Sequence, residues 1–258
     1  MDPKGRMMTR PPSKEELQQL VPNGILRAAI NLGNQVLAQW NSTSSEPGGV
    51  TVDLARELGR HLGVSVEFVL FDAAGKVVDA IASGAWDIAF LALDPKRAME
   101  ILFSAPYVII EGTYVVRNSS PLRKIEDFDR PGVRIAVGKG AAYDLFLTRF
   151  LKHAELVRCD TSAGALNLFW DEGLEAAAGV RQPLEDFAKS HAGCRVINGR
   201  FTAIEQAMGT LQGRPAGREY LQMFIEEMKR TGFVASALGR SGQLGAAVAP
   251  AADSWPSF

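Results

Sequence analysis

From Ile25 onward the chain alternates short apolar runs with amphipathic helical segments, and this alternation constrains its fold more than any other feature. ILRAAIN (25–31) reads as a strand. After a polar loop at 41–49, a helix over 51–62 places Val52, Ala55, Leu58 and Leu62 on one face, with Gly63 as its C-terminal stop. VSVEFVL (64–70) predicts a second strand, and VVDAIASG predicts a helix ending at Gly84. WDIAFLAL predicts a strand buried on both faces, because polar alternation is missing. A βαβαβ order implies a mostly parallel sheet with helices on both faces, and in such sheets ligands bind outside the carboxyl ends of the strands.

The long β-branched and aromatic run YVIIEGTYVV (107–116) leads through a polar segment into a second α/β series. That series comprises VRIAVGKG (133–140), a helix at 141–152, ELVRC (155–159), a helix at 162–170, LEAAAGVR (174–181), a helix at 183–190 and CRVIN (194–198). Another extended stretch follows Arg200, and then a helix from Pro215 to Arg230. The order predicts two doubly wound α/β lobes joined by two extended crossings. Lobe one is expected to comprise residues 24–117 with 201–240, and lobe two residues 118–200. Residues 1–23 are expected to be a leader with a short helix, capped by Ser13 and Glu16 in the S-x-x-E form. The Ala- and Gly-rich tail at 241–258 is expected to be mobile.

Composition narrows the function. The 258 residues are 47% hydrophobic, enough for a core in each lobe, and 28 Lys and Arg balance 29 Asp and Glu, so no electrostatic feature points to nucleic acid as a partner. The longest apolar stretches, such as IAFLAL (88–93), fall far short of the ~20 residues of a membrane span. The first two dozen residues lack the apolar core of a secretory signal, so no export instruction is read there. Cys159 and Cys194 are expected to be reduced thiols. The three scattered histidines, His61, His153 and His191, give no metal-ligand spacing, and neither a metal nor a cofactor is expected. Arg97 follows a short loop after a buried strand, where a guanidinium fork can offer parallel donors to a carboxylate. Leu91, Ala92 and Asp94 at that strand end, and the turn Gly138–Lys139–Gly140–Ala141–Ala142–Tyr143 entering a helix, are natural anion cradles through unpaired N–H groups. Asn31 at a strand end, Asn34 and Trp40 are further candidates for ligand contact.

Residues 48–69 and 84–116 together resemble the extracellular solute-binding proteins of family 3, the amino-acid receptors of ABC importers. The family pattern runs from "G-x-x-D" through "T-x-x-R" to "F-S-x-P-Y". Here it reads Gly84, Asp87, Asp94, Arg97, Phe103, Ser104, Pro106 and Tyr107. The resemblance extends through GVRIAVGKGAAYDLFL (132–147) and YLQMFIEEMKRTGF (220–233), covering nearly everything from Gly24 to Arg240. It implies the type II periplasmic-binding-protein fold, a monomer that closes on a small carboxylate-bearing ligand, a membrane ABC permease as partner and a periplasmic location. It also implies that Arg97 binds the ligand's carboxylate. The absence of an export signal keeps a cytosolic sensor as an alternative.

The chain departs from the family in informative places. The Asp87–Arg97 spacing is two residues shorter than usual, and Asp94 stands where Thr is common. Val180 or Arg181 occupies the position of the acid that usually holds the ligand's amino group. Arg181, if it enters the cleft, would repel an ammonium. Glu111 and Glu205 on the crossings are the candidate replacement acids. The runner-up reading is an enzyme resembling cyclohexadienyl dehydratases on the same fold, which needs a carboxylic general acid near Val180 and Arg181.

Overall fold

The computed structural model describes residues 10–42, 44–243 and 245–252. The first nine residues of the expected leader and residues 253–258 of the expected tail lie outside them. The elements in order are α1 (Lys14–Leu20), β1 (Leu26–Asn31), β2 (Gln39–Asn41), β3 (Glu46–Gly48), α2 (Val50–Leu62), β4 (Val66–Phe71), α3 (Ala74–Asp79), β5 (Ile88–Ala92) and β6 (Ile101–Arg117). They continue with β7 (Arg134–Gly138), α4 (Ala142–Phe150), β8 (Glu155–Cys159), α5 (Ser162–Asp171), β9 (Ala176–Val180) and α6 (Arg181–Ser190). The chain closes with β10 (Cys194–Val196), β11 (Thr202–Leu211), α7 (Pro215–Arg230), α8 (Phe233–Arg240) and β12 (Ala247–Val248).

Local chemistry explains most boundaries. Ser13 and Glu16 form a reciprocal capping box on α1. Gly63, in the left-handed conformation, ends α2 with its N–H on the Arg60 and Gly59 carbonyls. The polar loop expected at 41–49 is instead closed by the short β2–β3 pairing. The helix α8 was not predicted. It follows Gly232, at φ 75°, and buries Val234, Ala237 and Leu238. Part of the tail pairs with the sheet. Val248 pairs with Val108 of β6, and the Ala249 N–H donates to the Tyr107 carbonyl at 3.0 Å.

The main path of the sheet runs β4–β1–β5–β11–β6–β9–β7–β8. Strands β4, β1 and β5 are parallel to one another, as are β8, β7 and β9. Between these two sets run β11 and the 17-residue β6, antiparallel to each other and shared by both lobes. Strand β6 pairs with β11 from Ile101 to Gly112 and with β9 from Gly112 to Val115, so it hands over from one lobe to the other near Gly112. The β6–β11 register is broken at Gln206–Ala207 and again before Gly209, irregularities of the kind that bend a strand and re-aim its side chains. Among the described residues no helix is long and apolar enough to cross a membrane.

Each lobe repeats one anchoring device. In lobe one the fully buried Asp87 takes a bidentate pair from Arg27 of β1, with Nε and Nη2 both at 2.9 Å, and Arg27 also donates to the Gly84 carbonyl at 2.6 Å. Arg214, before α7, reaches the same carboxylate at 3.4 Å, and the Thr210 hydroxyl of β11 donates to the Asp87 carbonyl at 2.9 Å. In lobe two Arg134 of β7 pairs bidentately with Glu175, at 2.9 and 3.0 Å, and donates to the Gly173 carbonyl. Both pairs fix the entry to a central strand, β5 or β9, whose far end lines the site. Removing one partner of a buried pair leaves the other uncompensated at a cost of about 3–5 kcal/mol. Asp87→Asn is therefore expected to destabilise the fold by about 3 kcal/mol or more, read as a lowered midpoint in urea denaturation; Arg134→Gln, at a more exposed pair, is expected to cost less.

Candidate functional site

All six parallel strands end at one cavity of about 520 Å3 between the lobes. Its wall includes Asn31 at the end of β1, Asp72 just after β4 and Ala92 at the end of β5, facing Gly138 of β7, Asp160 just after β8 and Val180 of β9. This is where ligands bind in open α/β sheets. The volume falls in the range of small-molecule sites, about 300–1,000 Å3.

The first-lobe wall is shaped by tight backbone turns. The Asn31 Oδ1 accepts from the Gly33 N–H at 3.0 Å, and Leu32 N donates to the Phe71 carbonyl at 2.7 Å. A side chain at Gly33 would lie 2.2 Å from the Asp72 carbonyl oxygen, so glycine is required for this approach. The neighbouring Asn34 lines the cavity with its Oδ1 buried and unpartnered.

Arg97 sits on a 3-10 turn after Pro95, where the Asp94 Oδ1 accepts from Lys96 N at 2.9 Å. Only 2% of Arg97 is exposed, and burial, opposed by the charge of Asp94, lowers its pKa to about 10. It thus stays cationic at neutral pH. Its Nη1 donates to the Ala92 carbonyl at 3.0 Å and its Nη2 crosses to the Gly140 carbonyl of lobe two at 2.8 Å, while Nε has no partner. The open two-nitrogen fork expected from the sequence is therefore partly engaged by main-chain oxygens. Two further contacts join the lobes here. Asp94 pairs with Arg149 of α4 at 2.7 Å, and Gly75 of α3 lies against the Lys139–Gly140 turn, where an added Cβ would stand 3.0 Å from the Lys139 carbonyl oxygen.

Lobe two contributes helix starts. Helices α4 and α6 have no side-chain cap, so their first-turn N–H groups face the cavity region unsatisfied by side chains. In α4 the Gly140 N–H is already bound to the Asp144 carboxylate at 2.8 Å, which leaves the Ala142 and Tyr143 positions as the cradle. The Tyr143 hydroxyl donates to Ser162 Oγ at 2.7 Å, tying α4 to the start of α5, and Thr161 caps α5 through the Gly164 N–H at 3.0 Å. Three helix N-termini thus converge on one side of the cavity and favour negative charge there.

Arg97, Asn31, Asn34, Leu91, Ala92, Gly138, Ala141, Ala142 and Tyr143 all line this cavity. Asp94 and Gly140 do not; they brace it from behind through Arg149 and Arg97. Arg181 does not enter the cavity. Its Nε donates to Glu111 Oε2 at 2.7 Å, Arg200 holds the other Glu111 oxygen at 3.1 Å, and these contacts draw Arg181 to the crossing strand, where it and Glu111 line a separate cleft of about 180 Å3. The two arginines hold the Glu111 carboxyl below its ordinary range, the Arg181 hydrogen bond foremost. Glu205 also stands outside the cavity wall, since the strand alternation of β11 gives that wall Ile204 and Gln206 instead, and burial raises its carboxyl. Trp40, 52% exposed on β2, is not part of the wall.

Sequence reasoning missed Phe90, Gln206, Asp160–Ser162, Leu166, Pro183, Leu184 and Phe187, all in the wall. The strand-end rule applied to ELVRC would have found Asp160–Ser162, and the i, i+3 spacing of Leu184 and Phe187 marked an inward helix face. Nothing in the sequence distinguished Gln206 from Glu205. The acids in the wall, Asp72, Asp160 and Asp186, are all exposed, and among the described residues no cluster of three or more His, Cys, Asp and Glu is placed to hold a metal.

No curated protein sequence matches the chain. Solved structures match over most of its length. A mutant of ArgBP from T. maritima shares 18% identity, covering 88% of this chain and 99% of that one, with a TM-score of 0.75. An ancestral amino acid-binding protein, a precursor of cyclohexadienyl dehydratase, shares 22% identity over 87% and 97% of the two chains, with a TM-score of 0.73. A histidine kinase sensor domain with similarity to periplasmic binding proteins shares 21% over 87% and 98%, with a TM-score of 0.75. These likenesses show the type II periplasmic-binding-protein fold. The sequence pattern of bacterial extracellular solute-binding proteins, family 3, matches residues 34–239, and the chain therefore belongs to that family.

Proposed function

We propose that this ligand-binding protein is the receptor of an ABC-type importer that closes its two lobes on a small carboxylate-bearing solute outside the cytoplasm. The observation that carries this reading is the buried Arg97 cation, with Nε unpartnered, set opposite uncapped helix starts in a cavity whose wall holds no buried acid among the described residues. A carboxylate entering there would meet a permanent cation from one lobe and main-chain N–H groups from the other, so it would stabilise the closed form by its preference for that form. The hinge would lie where β6 leaves β11 near Gly112, with lobe one comprising residues 24–117 and 201–240 and lobe two residues 118–200. A permease would then recognise the closed monomer. A dehydratase would need a carboxylic acid in contact with its substrate, and among the described residues the acids of the wall, Asp72, Asp160 and Asp186, are all exposed.

Two measurements test the reading. Thermal shift over amino acids, 2-oxo acids and dicarboxylates identifies solutes that raise the melting temperature. For the tightest, Arg97→Ala is expected to weaken calorimetric binding about a hundredfold, in line with loss of a buried charge-assisted contact; unchanged affinity would remove Arg97 from the site. Gly75→Val places a branched side chain against the Lys139 carbonyl and is expected to hinder closure. In small-angle scattering the ligand-induced contraction should shrink or vanish, with binding at least about tenfold weaker. A variant that contracts and binds like the parent would separate this contact from closure.

A further inference from the structure

The charges around the cavity are distributed unequally by depth. Arg97 is the charged residue buried in its wall, and it is compensated only by main-chain oxygens and by Asp94 behind it. The acidic residues in the wall lie toward solvent beside lysines. Asp72 pairs with Lys76 at 2.8 Å and Asp186 with Lys189 at 2.9 Å, and Asp160 is itself exposed. At the end of β9, Val180 lines the wall, and Arg181 beside it is held by Glu111. The larger side chains left for the body of a solute are the apolar Phe90, Leu166, Pro183, Leu184 and Phe187, with Ser162 and Gln206 as polar neighbours in the same wall.

An ammonium group carried into this space would lose its water without meeting a buried carboxylate. With Arg97 already offset by the solute's carboxylate, the enclosed site would carry an unpaired positive charge beside three helix N-termini that also repel it. A neutral 2-oxo or 2-hydroxy group escapes that penalty. The Asn34 side-chain amide, whose buried Oδ1 has no partner, can serve a hydroxyl through its oxygen or a carbonyl through its NH2.

We infer that the solute is a 2-oxo or 2-hydroxy monocarboxylic acid with a branched or aromatic tail, and that Val180 sets the preference against amino acids. The inference rests on the receptor reading above and narrows its ligand class.

Matched pairs that differ only at the second carbon test it by calorimetry on the full chain. Leucine is compared with 4-methyl-2-oxopentanoate and 2-hydroxy-4-methylpentanoate, and phenylalanine with phenylpyruvate and 3-phenyllactate. A deaminated member is expected to bind at least about tenfold more tightly than its amino acid, or about 1.4 kcal/mol. Val180→Asp, which puts a carboxylate at the strand end, is expected to reverse that order. Amino acids binding as tightly as their deaminated partners, or no member binding at millimolar concentration, would overturn the inference. Either result leaves the receptor reading to its own test, because that reading fails only if no solute of the wider carboxylate panel binds through Arg97. If Val180→Asp does not fold, as judged by circular dichroism, the parent protein's ranking of each pair still decides.

Discussion

The antiparallel pairing of β6 with β11 is the constraint on which the rest of this molecule depends. Both strands belong to two lobes at once. Strand β5 adds to one side of β11 and strand β9 to one side of β6, so the parallel sets on either flank are held with their carboxyl ends facing a common space. Neither set alone makes a site. A parallel strand end offers a turn and a helix start, which is a weak anion cradle, but three such ends from each lobe enclose a cavity. The broken register lies on this same pair, directly after the Gln206 whose side chain joins the wall.

Arg97 illustrates how such a cavity can be selective without a strong overall field. The protein is close to neutral, yet one guanidinium buried at the interface is not screened as a surface charge would be. Its bonds to Ala92 and Gly140 fix its orientation, and the bond to Gly140 also joins the lobes. Arg97 thus links the electrostatics of the pocket to the contact between its two walls. The Asp94–Arg149 pair alongside adds a second bridge, and its partly exposed arginine makes it the weaker one.

Much of this was legible in the sequence. The period-3.6 face of α2, the unbroken apolar run of β5 and the Gly-rich entry to α4 each report a local rule, and each element formed where it was expected. The family motif placed Asp87 and Arg97, although it could not say that Asp87 would tie β1, β11 and the approach to α7 together while Asp94 would face Arg149. The helix α8 and the pairing of β12 were not legible, because Ala- and Gly-rich segments have little preference of their own and take their conformation from the surface they meet.

By itself the sequence determined the two α/β series, Arg97 as the candidate cation through its motif, and the lack of an acid at the end of β9, since these follow from residue order and type. Only the tertiary structure decided which charges line the cavity. Arg181 and Glu111 are 70 positions apart yet neutralise each other outside the cavity, and Gln206 rather than Glu205 joins its wall. The physical reason is that a charged side chain acts through its nearest partner and its depth from water, and both are set by strands that meet only after the chain has crossed twice between lobes.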